Sequence, residues 1–369
     1  MALPTDKILL RSPYWVTKSD TNLSYIIIDL RIWTGALSDE PSSSELPTIR
    51  LRSTALNGVA SIDIAELARD FVEVSFSSAG EESNAVLISH LTSSFYEDGT
   101  VSTDTKEYFL GLDGYGTFTD GANYSITKRV LMSTDVIRSY SDTNNRIPVL
   151  AEEYTGYKLQ TSNGAGWHTF HTVSGLTSAN STEDAVAYIN TSQGGVYAQR
   201  VVVEFSTGAD EIIYVEYQEC NKYGYTAAYF VNRFGAMQQV HFTGKFNISM
   251  KSKDTKYTRN ILEGGTYDEF RHQQYVLSKN GSVSLEFNTG WVPEQENDTF
   301  LELTMSEQIW LQVDSSKFGV AIVPKQSSVY TMPVHLSTKN MEIKNKVNDK
   351  LINYSFKFEA ANDWINSIR

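Results

Sequence analysis

Short apolar runs, rich in β-branched and aromatic residues and closed by Gly, Asn, Asp or Ser, recur along the whole chain. They constrain its fold more than any other feature, because such runs form strands and are too short for buried helices. Tyr25 to Trp33, Ala85 to Leu91, Glu107 to Leu112, Arg200 to Phe205, Glu211 to Tyr217 and Ala227 to Val231 belong to this class. So do Ser282 to Phe287, Phe300 to Met305, Ile309 to Val313, Gly319 to Val323, Val334 to Ser337 and Leu351 to Phe358. The helical signal is thin. Ile64, Leu67, Ala68 and Phe71 fall at i, i+3, i+4 and i+7 behind Ser61 and Asp63 as candidate N-caps, and Thr182 to Ile189 opens with two acids that suit a first turn. The fold class predicted is mainly β: tandem β-sandwich or barrel-like domains with one or two short helices.

Loop-like stretches rich in Ser, Gly, Asn and acids place one break after Arg146 to Leu150 and a softer one near 245. The expected division is an N-terminal β region over 1–152, a central β-sandwich over 153–245 and a C-terminal β domain over 246–369.

Charge narrows the partners. The chain has 31 Lys and Arg against 44 Asp and Glu, and all of the acidic excess lies in residues 1–244. No half has the basic surplus that phosphate backbones require, so nucleic acid is not expected as the main ligand. The single basic run, Lys245, Lys251, Lys253, Lys256 and Arg259 against Asp254, reads as solvated strand and turn charge. No stretch of 18 apolar residues and no leader-like N-terminal segment is present, so the expectation is a chain made in the cytosol with no membrane span.

Candidate chemistry is sparse. Cys220 is the single cysteine, which excludes an internal disulfide framework, and a flanking Glu219 disfavours its thiolate. His168 and His171 are three residues apart, but Gly164 and Gly166 beside them favour strand or loop over a helical metal face. The loop Asp113 to Asn123 reads as Asp-Gly turns rather than as a calcium loop, since it lacks the alternating acidic spacing. No G-x-S-x-G and no phosphate loop occurs, and the carboxylates Glu216 with Glu219, and Glu286, Glu294, Glu296 and Glu302 around Trp291, read as exposed positions of solvated strands rather than as an acid–base site. The expectation is therefore no enzyme, no cofactor and no metal. The 21 tyrosines favour sheet pairs and interface anchors.

Two segments carry a family resemblance. Tyr229-Phe-Val-Asn-Arg-Phe-Gly-Ala-Met-Gln-Gln-Val-His-Phe242 resembles the x-F-[VL]-N-[KR]-x-G-A-x-Q-x-x-x-F hairpin of virion structural proteins of tailed bacteriophages. The C-terminal run is similar in order and spacing to the end of the same proteins. It comprises Asn288 to Glu294, Met305 to Trp310, Met332 to His335, Asn348 to Tyr354 and Glu359 to Arg369. The resemblance covers about residues 200–369. It implies a non-enzymatic component of the phage tail, baseplate or tail tip, and with it a homo-oligomeric ring and other tail proteins as partners. The alternative, a carbohydrate- or host-receptor-binding protein, rests instead on Tyr and Trp side chains able to stack on sugars, with the loop Asp113 to Asn123 and the region around Trp167 as its candidate sites. Asn232, Arg233, Phe234 and Gly235 at the hairpin turn, with Trp364 and Arg369 in the terminal segment, are the candidate interface residues.

Overall fold

The computed structural model describes residues 4, 6–42, 48–74, 76–77, 80–81, 85–140, 143, 145–176, 181–183, 185–218, 224–314, 329–343 and 351–365. The chain is mainly β with two short helices, as its strand patterning predicts. It divides into two compact units. Unit 1 comprises Met1–Glu219, Phe230–Gln239 and Gln295–Ser306; unit 2 comprises Cys220–Tyr229, Val240–Glu294 and Glu307–Arg369. Residue 152 thus falls within unit 1 and residue 245 within unit 2.

The first sheet of unit 1 uses Lys7–Leu9 (β1), Leu23–Trp33 (β2), Ile49–Thr54 (β3), Ala85–Tyr96 (β4), Val101–Thr103 (β5) and Glu107–Leu112 (β6). Its order is β1-β6-β4-β2-β3, with β5 on β4, and only β1 and β6 run parallel. Both faces are covered where Trp33 of β2 and Ala85 to Ile88 of β4 lie, which explains the continuous apolar run Ala-Val-Leu-Ile at the start of β4, whereas the rest of β2 alternates. Ile8, Ile26, Ile28 and Phe109 face a core closed by the helix Ala65–Arg69 (α1) and the ribbon formed by Trp15–Ser19 and Val59–Asp63. Leu9, Trp33, Leu110 and Leu112 face a second core that includes Leu131, Leu150, Val186 and Phe234. Alternate residues of one strand therefore serve two cores.

The second sheet holds Val136–Tyr140 (β7), Tyr154–Ser162 (β8), Trp167–Ser174 (β9), Arg200–Phe205 (β10) and Glu211–Gln218 (β11), in the order β7-β11-β10-β8-β9. Ile137, Leu159, Val201, Val203, Ile213 and Val215 bury one of its faces against Ile147, Val149 and Ile189.

The sheet of unit 2 holds Thr226–Val231 (β12), Met237–Phe242 (β13), Asn247–Thr258 (β14), Gln274–Asn288 (β15), Ile309–Asp314 (β16), Val329–Leu336 (β17) and Ser355–Ala360 (β18). The order is β13-β12-β16-β17-β18-β15-β14, and the turn-side ends of β12 and β13 count with unit 1. Its core is aromatic: the rings of Phe287, Phe356 and Phe358 all lie 5.7–5.9 Å from that of Phe242.

Three local expectations are corrected. The helix predicted from Ser61 to Phe71 is confined to α1, because Val59–Asp63 pairs as a strand with Trp15–Ser19. Asp63 still serves the helix start, its Oδ1 accepting the Ala65 N–H at 3.0 Å. Thr182 to Ile189 is not a helix: Val186–Asn190 is a strand on Arg146–Leu150, which sends Val186 and Ile189 to different cores. Phe300 to Met305 is not a strand but part of the helix Asn297–Met305 (α2). A helix places Phe300 and Leu303 on one buried face and leaves Leu301 and Met305 exposed. The expected strand Gly319 to Val323 lies outside the described residues, as do Cys220 and Arg369.

Candidate interaction surface

The turn between β12 and β13 is built around Asn232. Its N–H donates to Ala236 O at 2.9 Å, and the Gly235 N–H returns to Asn232 O at 3.0 Å. The Asn232 side chain is wholly buried: Oδ1 accepts the N–H groups of Phe234 (3.0 Å) and Ala236 (3.1 Å), while Nδ2 donates to Leu131 O (2.7 Å) and Gln238 Oε1 (3.1 Å). All of its hydrogen-bonding capacity is used within unit 1. Gly235 sits at φ 79°, and a Cβ there would lie 2.8 Å from the Asp113 backbone nitrogen. Phe234 is buried with Leu9, Trp33 and Leu112. Arg233 accepts the Tyr115 N–H on its carbonyl at 2.7 Å and donates from Nη2 to Asp120 Oδ2 at 3.0 Å. Of these four candidate interface residues, Asn232, Phe234 and Gly235 are buried and Arg233 is partly exposed, and together they join the hairpin to the loop around Asp113 to Asp120.

Glu296 and Glu302, expected from the sequence as solvated strand charges, are instead buried at the start of α2 and within it. Glu302 on α2 accepts a hydrogen bond from Ser133 Oγ, and burial pushes its pKa up to about 6 against the pull of Ser133 and Arg233. Glu296 stands 3.6 Å from Arg138 Nε; burial, opposed by Arg138 and reinforced by Glu216, pushes it up to about 7. Burial next to Glu302 likewise lifts the Tyr115 hydroxyl to about 12. The available signal was Phe300 and Leu303 at i, i+3 behind Asp298 in a first turn, obscured by the β-like run Thr-Phe-Leu-Glu-Leu-Thr.

The accessible surface lies elsewhere. β14 and β15 pair from Asn247↔Glu286 out to Thr258↔Gln274, but β15 also meets β18 only from Ser284 to Asn288. Beyond that point the two strands form a ribbon with no third strand among the described residues, and no residue from Asn247 to Asn280 is buried. The ladder from Ser249 to Thr258 extends about 33 Å at 3.3 Å per residue. Phe270 in the connecting segment is 92 % exposed and Leu277, at the bulge facing Thr255 and Lys256, 70 %.

The register separates two faces. Lys251, Lys253 and the stacked pair Tyr257–Tyr275, 5.8 Å between centroids, share one, and the Arg259 guanidinium lies 5.5 Å from the Tyr275 ring. Asp254, its ion-pair partner Lys256 (3.2 Å), Lys279 and Met250 share the other. At the base of this arm the Trp364 N–H donates to Gly281 O at 2.9 Å and the Ile365 N–H to Asn280 Oδ1 at 3.1 Å. A Cβ on Gly281 would lie 2.7 Å from Met250 Cε, the movable end of a long side chain, and at an ordinary contact distance of 3.5 Å from Trp364 Cβ. Of the expected interface residues, Trp364 is thus at an exposed site, 41 % accessible.

A smaller aromatic surface lies on the second sheet. Trp167 and Tyr214 are both exposed, 6.2 Å apart, with the Arg200 guanidinium 4.6 Å from the Trp167 ring. His168 and His171 stand on β9, and among the described residues no group of three His, Cys, Asp or Glu side chains is placed to hold a metal ion. In the loop Asp113 to Asn123, Asp113 is buried and Asp120 is engaged by Thr117 and Arg233, so its acids act internally.

No protein-family model and no curated protein matches the chain. Among solved structures, the fibronectin(III)-like modules of Clostridium thermocellum CbhA are 9 % identical, with a TM-score of 0.18 over 59 % of this chain and 91 % of that one. Extracellular domains 3–5 of Drosophila OTK give 9 % and 0.19 over 75 % and 87 %. A 1.5-MDa bacterial ice-binding adhesin gives 10 % and 0.16 over 76 % and 86 %. Superpositions this weak carry no argument about activity or partners.

Proposed function

We propose that this chain is a non-enzymatic structural component of a tailed-phage virion, in the tail or baseplate, that works through contacts with its own copies and with neighbouring tail proteins. One observation carries the assembly reading: the arm of β14 and β15 holds exposed Met250, Tyr257, Phe270, Val276 and Leu277 on a ribbon that buries nothing. An isolated two-stranded ribbon is marginal in water, so its apolar side chains need a surface supplied from outside. The hairpin and C-terminal resemblances support placing that assembly in a phage tail. Light scattering over a concentration series, followed by negative-stain imaging, tests the reading. A discrete closed ring is expected; a monomer at every concentration overturns self-assembly.

A second reading, contact with a host surface glycan, is favoured by the Trp167–Tyr214 surface. Exposed rings with a neighbouring guanidinium suit stacking on a sugar and hydrogen bonding to its hydroxyls. Binding of host wall polysaccharide that Trp167→Ala abolishes supports it; no binding by the unmodified chain removes it.

A further inference from the structure

We infer that the arm is the docking element between copies: the lysine–tyrosine face of its outer ladder lies on the acidic body of a second copy of this chain. This rests on the assembly reading above and adds the element, the face and the occupant.

The occupant follows from charge. Residues 247–283 hold six Lys and Arg against four Asp and Glu, which leaves 25 against 40 in the rest of the chain. In the ladder itself, Lys251, Lys253, Lys256 and Lys279 stand against Asp254 alone. The arm is therefore the positive part of a strongly negative molecule, and another copy offers the complementary field at every encounter. Nucleic acid would have to approach a chain of net charge −13, so the same arithmetic disfavours it.

The face follows from register. Asp254 pairs with Lys256 and lies opposite Lys279, so that side is partly neutralised. Lys251 and Lys253 share their side with Tyr257 and Tyr275 and face no acid across the ladder. Two cations beside two stacked rings can meet carboxylates while burying aromatic area, the combination that gives an interface both steering and contact. Because the arm and the body are different surfaces, the contact is head-to-tail, and repeated contacts of that kind close into rings when the rotation permits.

The test uses the full chain and the double variant Lys251→Glu/Lys253→Glu, with Asp254→Lys as the opposite-face control. All three positions are exposed, and circular dichroism with a thermal melt confirms that folding is unchanged. Light scattering is expected to show the double variant needing about tenfold more protein to assemble. Assembly of the parent should weaken from about 50 to about 500 mM salt, and Asp254→Lys should assemble at least as well as the parent. A photo-crosslinker at position 253 should join heavy- and light-isotope copies when the two are mixed. If the parent assembles and the double variant assembles equally well at low salt, the arm inference is wrong while the assembly reading stands. If the parent never assembles, both fall.

Discussion

Asn232 shows how much one side chain can fix. Its four hydrogen bonds hold the turn, the Leu131 carbonyl and Gln238 together in a site without solvent. Asn232→Ala strips a hydrogen bond from the N–H groups of Phe234 and Ala236, the Leu131 carbonyl and Gln238 Oε1, and is expected to cost about 2–4 kcal/mol, read by urea unfolding. A loss under about 1 kcal/mol would mean that the turn does not depend on this side chain. Glu296 and Glu302 give a pH signature. Their folded pKa values lie above the ordinary glutamate value, so the folded state holds protons that the unfolded state releases. Their contribution to stability is complete below about pH 4.5 and is lost as pH rises through about 6 to 7. Moving from about pH 5 to about pH 8 should therefore cost the parent about 1–3 kcal/mol more than Glu296→Gln. Equal pH dependence in the two proteins would show that burial does not govern this carboxyl.

Among the elements, the arm separates stability from association. Replacing Thr255–Ser278 by Asn-Gly joins the opposed residues Asp254 and Lys279 through a tight turn. The removed segment buries nothing, so unfolding free energy should change by less than about 0.5 kcal/mol while association is lost. Hydrogen exchange should find the outer ladder opening locally and Ser284–Asn288, flanked by β14 and β18, protected. The sequence shows these elements unevenly. Strands such as β2, β4 and β10 were legible because their alternation and β-branching agree with burial on a sheet. Helix α2 was not, since its apolar residues fit either period over so short a run, and only tertiary burial of Phe300 with Leu303 decides it. Lys251 and Lys253 were legible as solvated strand charge, but that they stand on a ribbon with no third strand among the described residues depends on where β18 ends its pairing. The motif Asn232 to Gly235 was visible as a turn; its inward orientation required Leu131 and Asp113, more than 100 residues away.

For the whole molecule, the decisive fact is that neither unit is a continuous stretch of chain. Unit 1 takes Phe230–Gln239 and Gln295–Ser306 from within the sequence of unit 2. A fragment ending at residue 245 lacks α2, so Ser133 loses Glu302 and Arg138 loses Glu296. Such a fragment is expected to bind a hydrophobic dye and melt below the full chain; a melt matching that of the parent would show that α2 adds nothing to unit 1. The same threading sets an order on biosynthesis. Chains emerge at about 5–20 residues per second, and domains made of one stretch can fold as they appear. Here the N-terminal unit waits until Ser306 has left the ribosome, by which time β12 to β15 of the other unit are already out. The two units must mature together, late in translation, and a chain released early has no finished half.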